Sequence, residues 1–365
     1  MSIDMRKMAD KPAYDVVVVG AGGAGMAAAL FATIEGMKVL LIERTEYVGG
    51  TTAFSAATTW VPNTHHRAGT GTPDSHETVS HYLDLAVGKH SSAEMRRAFL
   101  EAGPEAIATI EKNSDVQFRA RPFHPDYISD LEGSTLCGRA LEPLPFDGRK
   151  LGGHFALVRP PIPEFTVLGG MMIDRDDVGH LLKLTKSFAS FKHAVALIAR
   201  HAMDRLKHPR GTRLVMGNAL IGRLLHSLDQ RGVDILVQTK VEELIRDGDA
   251  VTGVVATQNG QRRRIAARRG VIMATGGFSR HKTLRSKMLH QPTPEHSPIG
   301  PGNTGEMHDL ALGAGAHYGT TNLDNAFWAP VSVRQRADRT WAVFPHFILD
   351  RCKPGMVTVN KAGRR

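Results

Sequence analysis

Residues 14–30 read YDVVVVGAGGAGMAAAL. Four consecutive β-branched residues, Val16 to Val19, suit a strand buried on both faces of a parallel sheet. The Ala-rich stretch from Met26 to Glu35 predicts a helix with Gly36 as its C-cap. Lys38 to Ile42 (KVLLI) predicts a second strand, which closes a βαβ unit. Between the first strand and the helix, Gly20, Gly22 and Gly25 form G-x-G-x-x-G, with Gly23 inside it. The first glycine allows a tight turn, the second a close backbone approach to a pyrophosphate, and the third close packing of helix on strand. The helix N-terminus adds unpaired N–H groups and the positive end of a dipole. Glu43 ends the second strand, where a carboxylate accepts hydrogen bonds from a ribose 2′-OH and repels a 2′-phosphate. Together these predict a dinucleotide site and disfavour a phosphorylated ribose.

Composition narrows the setting. The chain has 365 residues, enough for two domains, with 42% apolar and 22% charged residues, as in soluble globular proteins. A net charge of +10 raises nucleic acid as a partner. The basic residues are dispersed, however, without aromatic interleaving or zinc-finger spacing, so no nucleic-acid partner is expected. Cys137 and Cys352 are isolated, which fits a reducing, cytoplasmic location. Val16 to Ala32 is uncharged and follows Arg6, Lys7 and Lys11. Its glycines and the preceding Asp10 and Asp15 argue against a signal peptide or an integral membrane span.

Further along, residues 92–112 and Ala219 to Arg231 predict helices, and residues 119–180 read as irregular. A long helix carries apolar residues at Leu184, Phe188, Phe191, Val195, Ile198, Ala202 and Leu206, with Lys183, Lys186, Lys192 and Arg200 largely off that stripe. Such a helix either lies on a membrane surface or docks on its own core, and docking is the commoner case. Strands are predicted at 233–238, 251–257 and 263–267, with another in RGVIMATGGF at 269–278. A change to Pro/His-rich loops places a domain boundary near residue 280, giving domains 1–279 and 280–365.

Two more glycine turns separate FAD from NAD. Gly49, Gly50, Thr51 and Thr52 follow Glu43 directly, and Ala274, Thr275, Gly276 and Gly277 end a distant strand. A nicotinamide dehydrogenase completes its site within one contiguous half, whereas this split arrangement suits a flavoprotein. Other chemistry lacks a signature. His76 and His81 in HETVSH stand about 140° apart around a helix, unlike the zinc pair of HExxH. His65 and His66 sit in a polar loop and are expected to be solvated. No P-loop, GxSxG elbow or catalytic cysteine motif is present.

ERTEYVGGTTAFS (43–55), ARRGVIMATGGF (267–278) and GNTGE (302–306) resemble the FAD-dependent oxidoreductases related to the flavoprotein subunits of succinate dehydrogenase and fumarate reductase. Within that group the sequence is most similar to Δ1-type 3-ketosteroid dehydrogenases. AGPEAI (102–107), FRARPFHPDY (118–127), GRALEPLPFDGR (138–149) and PGMVTVNKAGRR (354–365) all have counterparts there. The resemblance implies an α/β fold: a Rossmann-like FAD-binding domain followed by an incomplete α+β cap for substrate.

It further implies that Gly20, Gly22, Gly23 and Gly25 hold the FAD pyrophosphate and that Glu43, with Arg44 beside it, meets the adenosine ribose. Gly49, Gly50, Thr51, Thr52 and Ser55 line the flavin and its phosphates, and Val241 lies near the adenine. Thr275, Gly276 and Gly277 border the FAD, and Glu306 stands near the ribityl chain. The implied reaction removes two hydrogens from adjacent carbons beside a carbonyl of a hydrophobic, steroid-like substrate. One leaves as a proton to a tyrosine and one as hydride to flavin N5. Tyr127 and Tyr318 are the candidate tyrosines, and Trp328 is a candidate pocket residue. Alternatives are reduction of a fumarate-like dicarboxylate and a non-catalytic remnant. Relatives carry SGGxxW where this chain has SAATTW (55–60), and they continue past the GRR triplet. The resemblance therefore implies a truncated chain that binds FAD poorly and turns over slowly or not at all. The electron acceptor has no signature.

Overall fold

The computed structural model describes residues 5, 8, 13–72, 74–319, 322, 324–346 and 355–365. Arg6, Lys7, Asp10, Lys11, Leu323, Cys352 and Pro354 lie outside these. Two compact units form: Met1–Gly276 with Glu306–Thr321, and Gly277–Gly305 with Asn322–Arg365.

The first unit is built on a six-stranded sheet. Strand β1 (Ala13–Val19) feeds helix α1 (Gly23–Ile34), which returns to β2 (Val39–Ile42). The later strands are β3 (Asp234–Leu236), β4 (Thr239–Asp247), β5 (Ala250–Gln258) and β6 (Gln261–Met273), in the spatial order β3-β2-β1-β6-β5-β4. β3, β2, β1 and β6 run parallel, whereas β4, β5 and β6 form an antiparallel meander.

Alternation along β1 explains why all four valines are needed. Val16 and Val18 join one core with Met26, Leu30 and Leu41, and with Leu224 and Leu225 of the helix Met216–Gln230. Val17 and Val19 join a second core with Leu40, Ile42, Val254 and Ile265. Each fully buried aliphatic side chain contributes about 1.5–3 kcal/mol, so both sheet faces are stabilised from one short stretch.

Two expectations change. The strands foreseen at 263–267 and 269–278 are one strand, β6, which pairs antiparallel with β5 and then parallel with β1 across a register shift. Gly270, at φ +135, sits at the irregularity within the β1 pairing, where the register shifts between Tyr14 and Val16. The basic amphipathic helix is two helices, Arg175–Leu181 and Phe188–Arg205. Its apolar stripe does not dock on the core: Phe188, Phe191, Val195, Ile198 and Leu206 are exposed. The second helix packs instead through Ala194, Leu197, His201 and Asp204. Polar contacts decide this orientation. The Asp204 carboxylate accepts from the Thr212 N–H at 2.7 Å and hydroxyl at 2.8 Å, and His201 Nε2 donates to the Leu168 carbonyl at 3.0 Å. Among the described residues, no helix is long and apolar enough to cross a membrane.

The second unit contains the helix Lys282–Met288 and a hairpin pairing Val331–Gln335 with Trp341–Pro345.

Candidate cofactor site

Three glycine turns meet at the C-terminal ends of the parallel strands. Gly20 leaves β1 at φ +101, where an added Cβ would lie 2.4 Å from the Ala274 carbonyl oxygen. Gly25 lies against the same turn, and a Cβ there would fall 1.8 Å from the Gly20 oxygen. Gly22 differs: it is the N-cap of α1, its backbone is extended, and a Cβ would meet nothing within 4 Å. No side chain caps α1 and no acidic residue occupies its first turn. The turn thus combines two glycines required for packing with one facing open space beside an uncapped helix N-terminus, as an anion requires.

The second turn is bonded to the first. The Gly49 N–H donates to the Ala21 carbonyl at 2.7 Å, and the Gly23 N–H donates to Thr52 Oγ1 at 3.2 Å. Gly50, at φ +49, stands close enough that its Cβ would be 3.2 Å from Gly22 Cα. The third turn follows β6: the Ala274 N–H donates to the Val19 carbonyl at 2.8 Å, with Thr275 half-buried and Gly276 and Gly277 exposed.

Glu43 is buried, and its carboxylate is fixed from two sides. Oε2 accepts from the Ala21 N–H at 2.9 Å, and Oε1 accepts from the Thr45 N–H at 2.9 Å and hydroxyl at 2.7 Å. Arg44 projects to Glu306 at 3.7 Å, and Glu306 also meets Lys240 at 2.9 Å. Val241, next to Lys240, is buried in β4. Glu306 therefore stands beside the residues that follow Glu43 and precede Val241.

The loop after Thr52 departs from glycine without departing from glycine geometry. Ala57 adopts φ +50, a conformation that costs an L-residue energy. Ser55 braces it, its hydroxyl donating to the Thr52 carbonyl at 2.9 Å and accepting the Ala57 N–H at 2.9 Å.

One support was missed from sequence. Helix Met216–Gln230 begins against the second turn, with the Gly217 N–H donating to the Ser55 carbonyl at 2.9 Å and Asn218 Nδ2 to the Ala53 carbonyl at 2.8 Å. A Cβ on Gly217 would lie 1.8 Å from the Thr52 carbonyl oxygen. The Gly-Asn pair opening a helix was the available signal.

Of the candidate catalytic residues, Tyr127 is 83% exposed, next to the buried Asp126. Tyr318 lies 2.7 Å from Nδ1 of His308, whose Nε2 lies 3.1 Å from the Gly276 carbonyl oxygen. A carbonyl only accepts, so Nε2 donates to Gly276, and the tautomer with its hydrogen there leaves Nδ1 to accept the Tyr318 hydroxyl hydrogen bond. Burial, and after it the Asp309 charge, holds the Tyr318 phenol above its ordinary pKa. Trp328 belongs to the second unit, where its indole N–H donates to Asp324. His66 is not solvated as expected; it pairs with Glu111 at 3.0 Å.

With this geometry in place, residues 15–365 match the model of the FAD binding domain family. The chain belongs to that family. It is 35% identical over 97% of its length to a 4-oxocyclohex-2-ene-1-carboxylate 5-dehydrogenase of Sinomonas cyclohexanicum. It is 31% identical over 96% to a 3-oxosteroid 1-dehydrogenase of Mycolicibacterium smegmatis. It spans 60% and 61% of those proteins, respectively. Among solved structures it resembles a 3-ketosteroid Δ1-dehydrogenase from Sterolibacterium denitrificans bound to 1,4-androstadiene-3,17-dione. There the TM-score is 0.82 at 30% identity, covering 91% of this chain and 60% of the other. FAD is the cofactor of the family, and the residues present fit it. The open face at Gly22 and the uncapped start of α1 suit a pyrophosphate, and the fixed Glu43 carboxylate suits ribose hydroxyls.

Proposed function

We propose that this protein is an FAD-dependent dehydrogenase that removes two hydrogens from adjacent carbons beside the ketone of an oxo-substituted ring. The observation that carries this is the match, over 96–97% of the chain, to relatives named for dehydrogenating such rings. Bound FAD supplies the hydride acceptor. Gly22, Gly23 and the first turn of α1 bind the pyrophosphate, and Gly49 to Thr52 close over it. Glu43 orients the adenosine ribose, with Val241, Arg44 and Glu306 on the same side.

Tyr318 and His308 supply a route for the proton. Because the phenol keeps its proton at neutral pH, Tyr318 accepts a substrate proton only as it passes its own to Nδ1 of His308. Tyr127, exposed on an anchored loop, is the second candidate to meet a substrate carbonyl. The substrate class is a hydrophobic cyclic ketone, either a 3-oxosteroid or a smaller oxo-cyclohexane acid.

Anaerobic reductive titration tests this. The FAD-loaded protein should lose its flavin absorbance on addition of 4-androstene-3,17-dione or 4-oxocyclohexanecarboxylate, and keep it with the corresponding alcohols. Unchanged absorbance with both ketones, together with re-oxidation of chemically reduced protein by fumarate, would instead establish a dicarboxylate reductase.

A further inference from the structure

Away from the glycine turns, His65, His66 and Glu111 bring three ligand-type side chains together, with their donor atoms all within 4.8 Å of one another. The histidines open a 3₁₀ segment, His65–Thr70, and Glu111 lies in the last turn of the long helix Ala93–Asn113. Nε2 of His65 is 3.0 Å from Oε2 of Glu111, and Nε2 of His66 is 3.0 Å from Oε1. The two imidazole centroids are 4.1 Å apart.

We propose that His65, His66 and Glu111 form a binding site for a divalent transition-metal ion of the zinc class. Two imidazoles and one carboxylate are a borderline-soft donor set that suits such an ion and leaves one position for water. The spacing fits: a tetrahedral ion about 2.1 Å from each donor separates the donors by about 3.4 Å. The observed nitrogen–oxygen distances need to open by only a few tenths of an ångström.

Glu111 is held ready. Its side chain is 9% exposed, and the Phe118 N–H donates to Oε1 at 2.8 Å. That is the outer-shell bond that orients a ligating carboxylate and leaves Oε2 for the ion. His65, 55% exposed, opens the fourth position toward water, while His66 is only 18% exposed. The ion would tie the segment after Trp60 to the end of the long helix. None of this depends on the flavin or the substrate.

Zn²⁺ titration of the untagged full chain, with Co²⁺ as spectroscopic probe, tests the site. The expected result is one ion per chain, visible absorption of four- or five-coordinate Co²⁺, and a Tm raised by about 5 °C at a hundredfold excess over Kd. The double variant His65→Gln, His66→Gln keeps amide donors available to the partly buried Glu111 carboxylate and should weaken Zn²⁺ at least about 100-fold. The proposal is overturned if the double variant binds Zn²⁺ as the parent does. It is equally overturned if Co²⁺ stays six-coordinate and Tm does not move, which would leave two histidine–carboxylate hydrogen bonds only.

Discussion

Arg139 and Asp126 form an ion pair sealed from solvent, with Nη1 2.6 Å from Oδ2 and the two side chains 1% and 2% exposed. Arg139 also grips Asp74 through Nε at 2.9 Å and Nη2 at 2.7 Å, while the Trp60 indole N–H donates to Asp126 Oδ1 at 2.7 Å. The loop that presents Tyr127 is thereby bolted to the SAATTW segment. Its exposure is that of a side chain on a rigid base.

Breaking this network should be costly. Arg139→Met leaves two buried carboxylates without their cation, and a destabilisation of about 3–5 kcal/mol is expected in urea unfolding. Arg139→Lys should rescue little, because one ammonium cannot reproduce the paired geometry on Asp74.

Two glycines of the first turn should separate folding from binding. Gly25→Ala drives a Cβ into the Gly20 carbonyl oxygen, so a loss of about 3 kcal/mol in stability is expected. Gly22→Ala meets nothing in the protein, so its unfolding midpoint should match the parent. Its FAD affinity, read by flavin fluorescence quenching, should fall at least about tenfold, because the methyl occupies the pyrophosphate approach. Equal FAD affinity in Gly22→Ala and parent would remove that turn from the cofactor site.

Glu43→Gln tests the ribose contact. The amide keeps the shape but puts a neutral group, and at one end a donor, where three donors converge on the carboxylate. A stability loss of about 2 kcal/mol is expected, with FAD binding weakened about tenfold or more by isothermal titration. Unaltered flavin affinity would assign Glu43 to structure alone.

Tyr14 gives a pH signature. It is buried in β1, and its hydroxyl donates to Asp234 Oδ2 at 2.8 Å. Burial, and then Asp234, raises its pKa well above the ordinary 10.0. A raised folded-state value favours the protonated form, so this contribution is complete below about pH 10 and is lost as pH rises further. Urea midpoints measured between about pH 8 and pH 11 should fall more steeply for the parent than for Tyr14→Phe. Parallel curves would show that the phenol is not the linked group.

The βαβ start, the glycine turns and Glu43 were legible because each is a local pattern with one physical purpose. Periodicity identified which residues of Phe188–Arg205 share a face, but not which face turns inward. That choice was made by Asp204 reaching Thr212 and by His201 reaching Leu168. The continuity of β6 was hidden because the register shift at Gly270 interrupts the local pattern without leaving extended structure. Arg139 with Asp74, His66 with Glu111 and Asn218 with Ala53 each join segments far apart in sequence. No window of local sequence contains both partners.

The place of β6 beside β1 also sets a timetable. Val16 pairs with Gly270, about 250 residues later, which at a synthesis rate of roughly 5–20 residues per second is a wait of about 10–50 s. Until then, one edge of the tetravaline strand on the nascent chain has no partner, and an unpaired apolar edge recruits other chains. Yield in a cell-free system should therefore rise when a chaperone that shields strand edges is present from the first rounds of translation rather than added at the end.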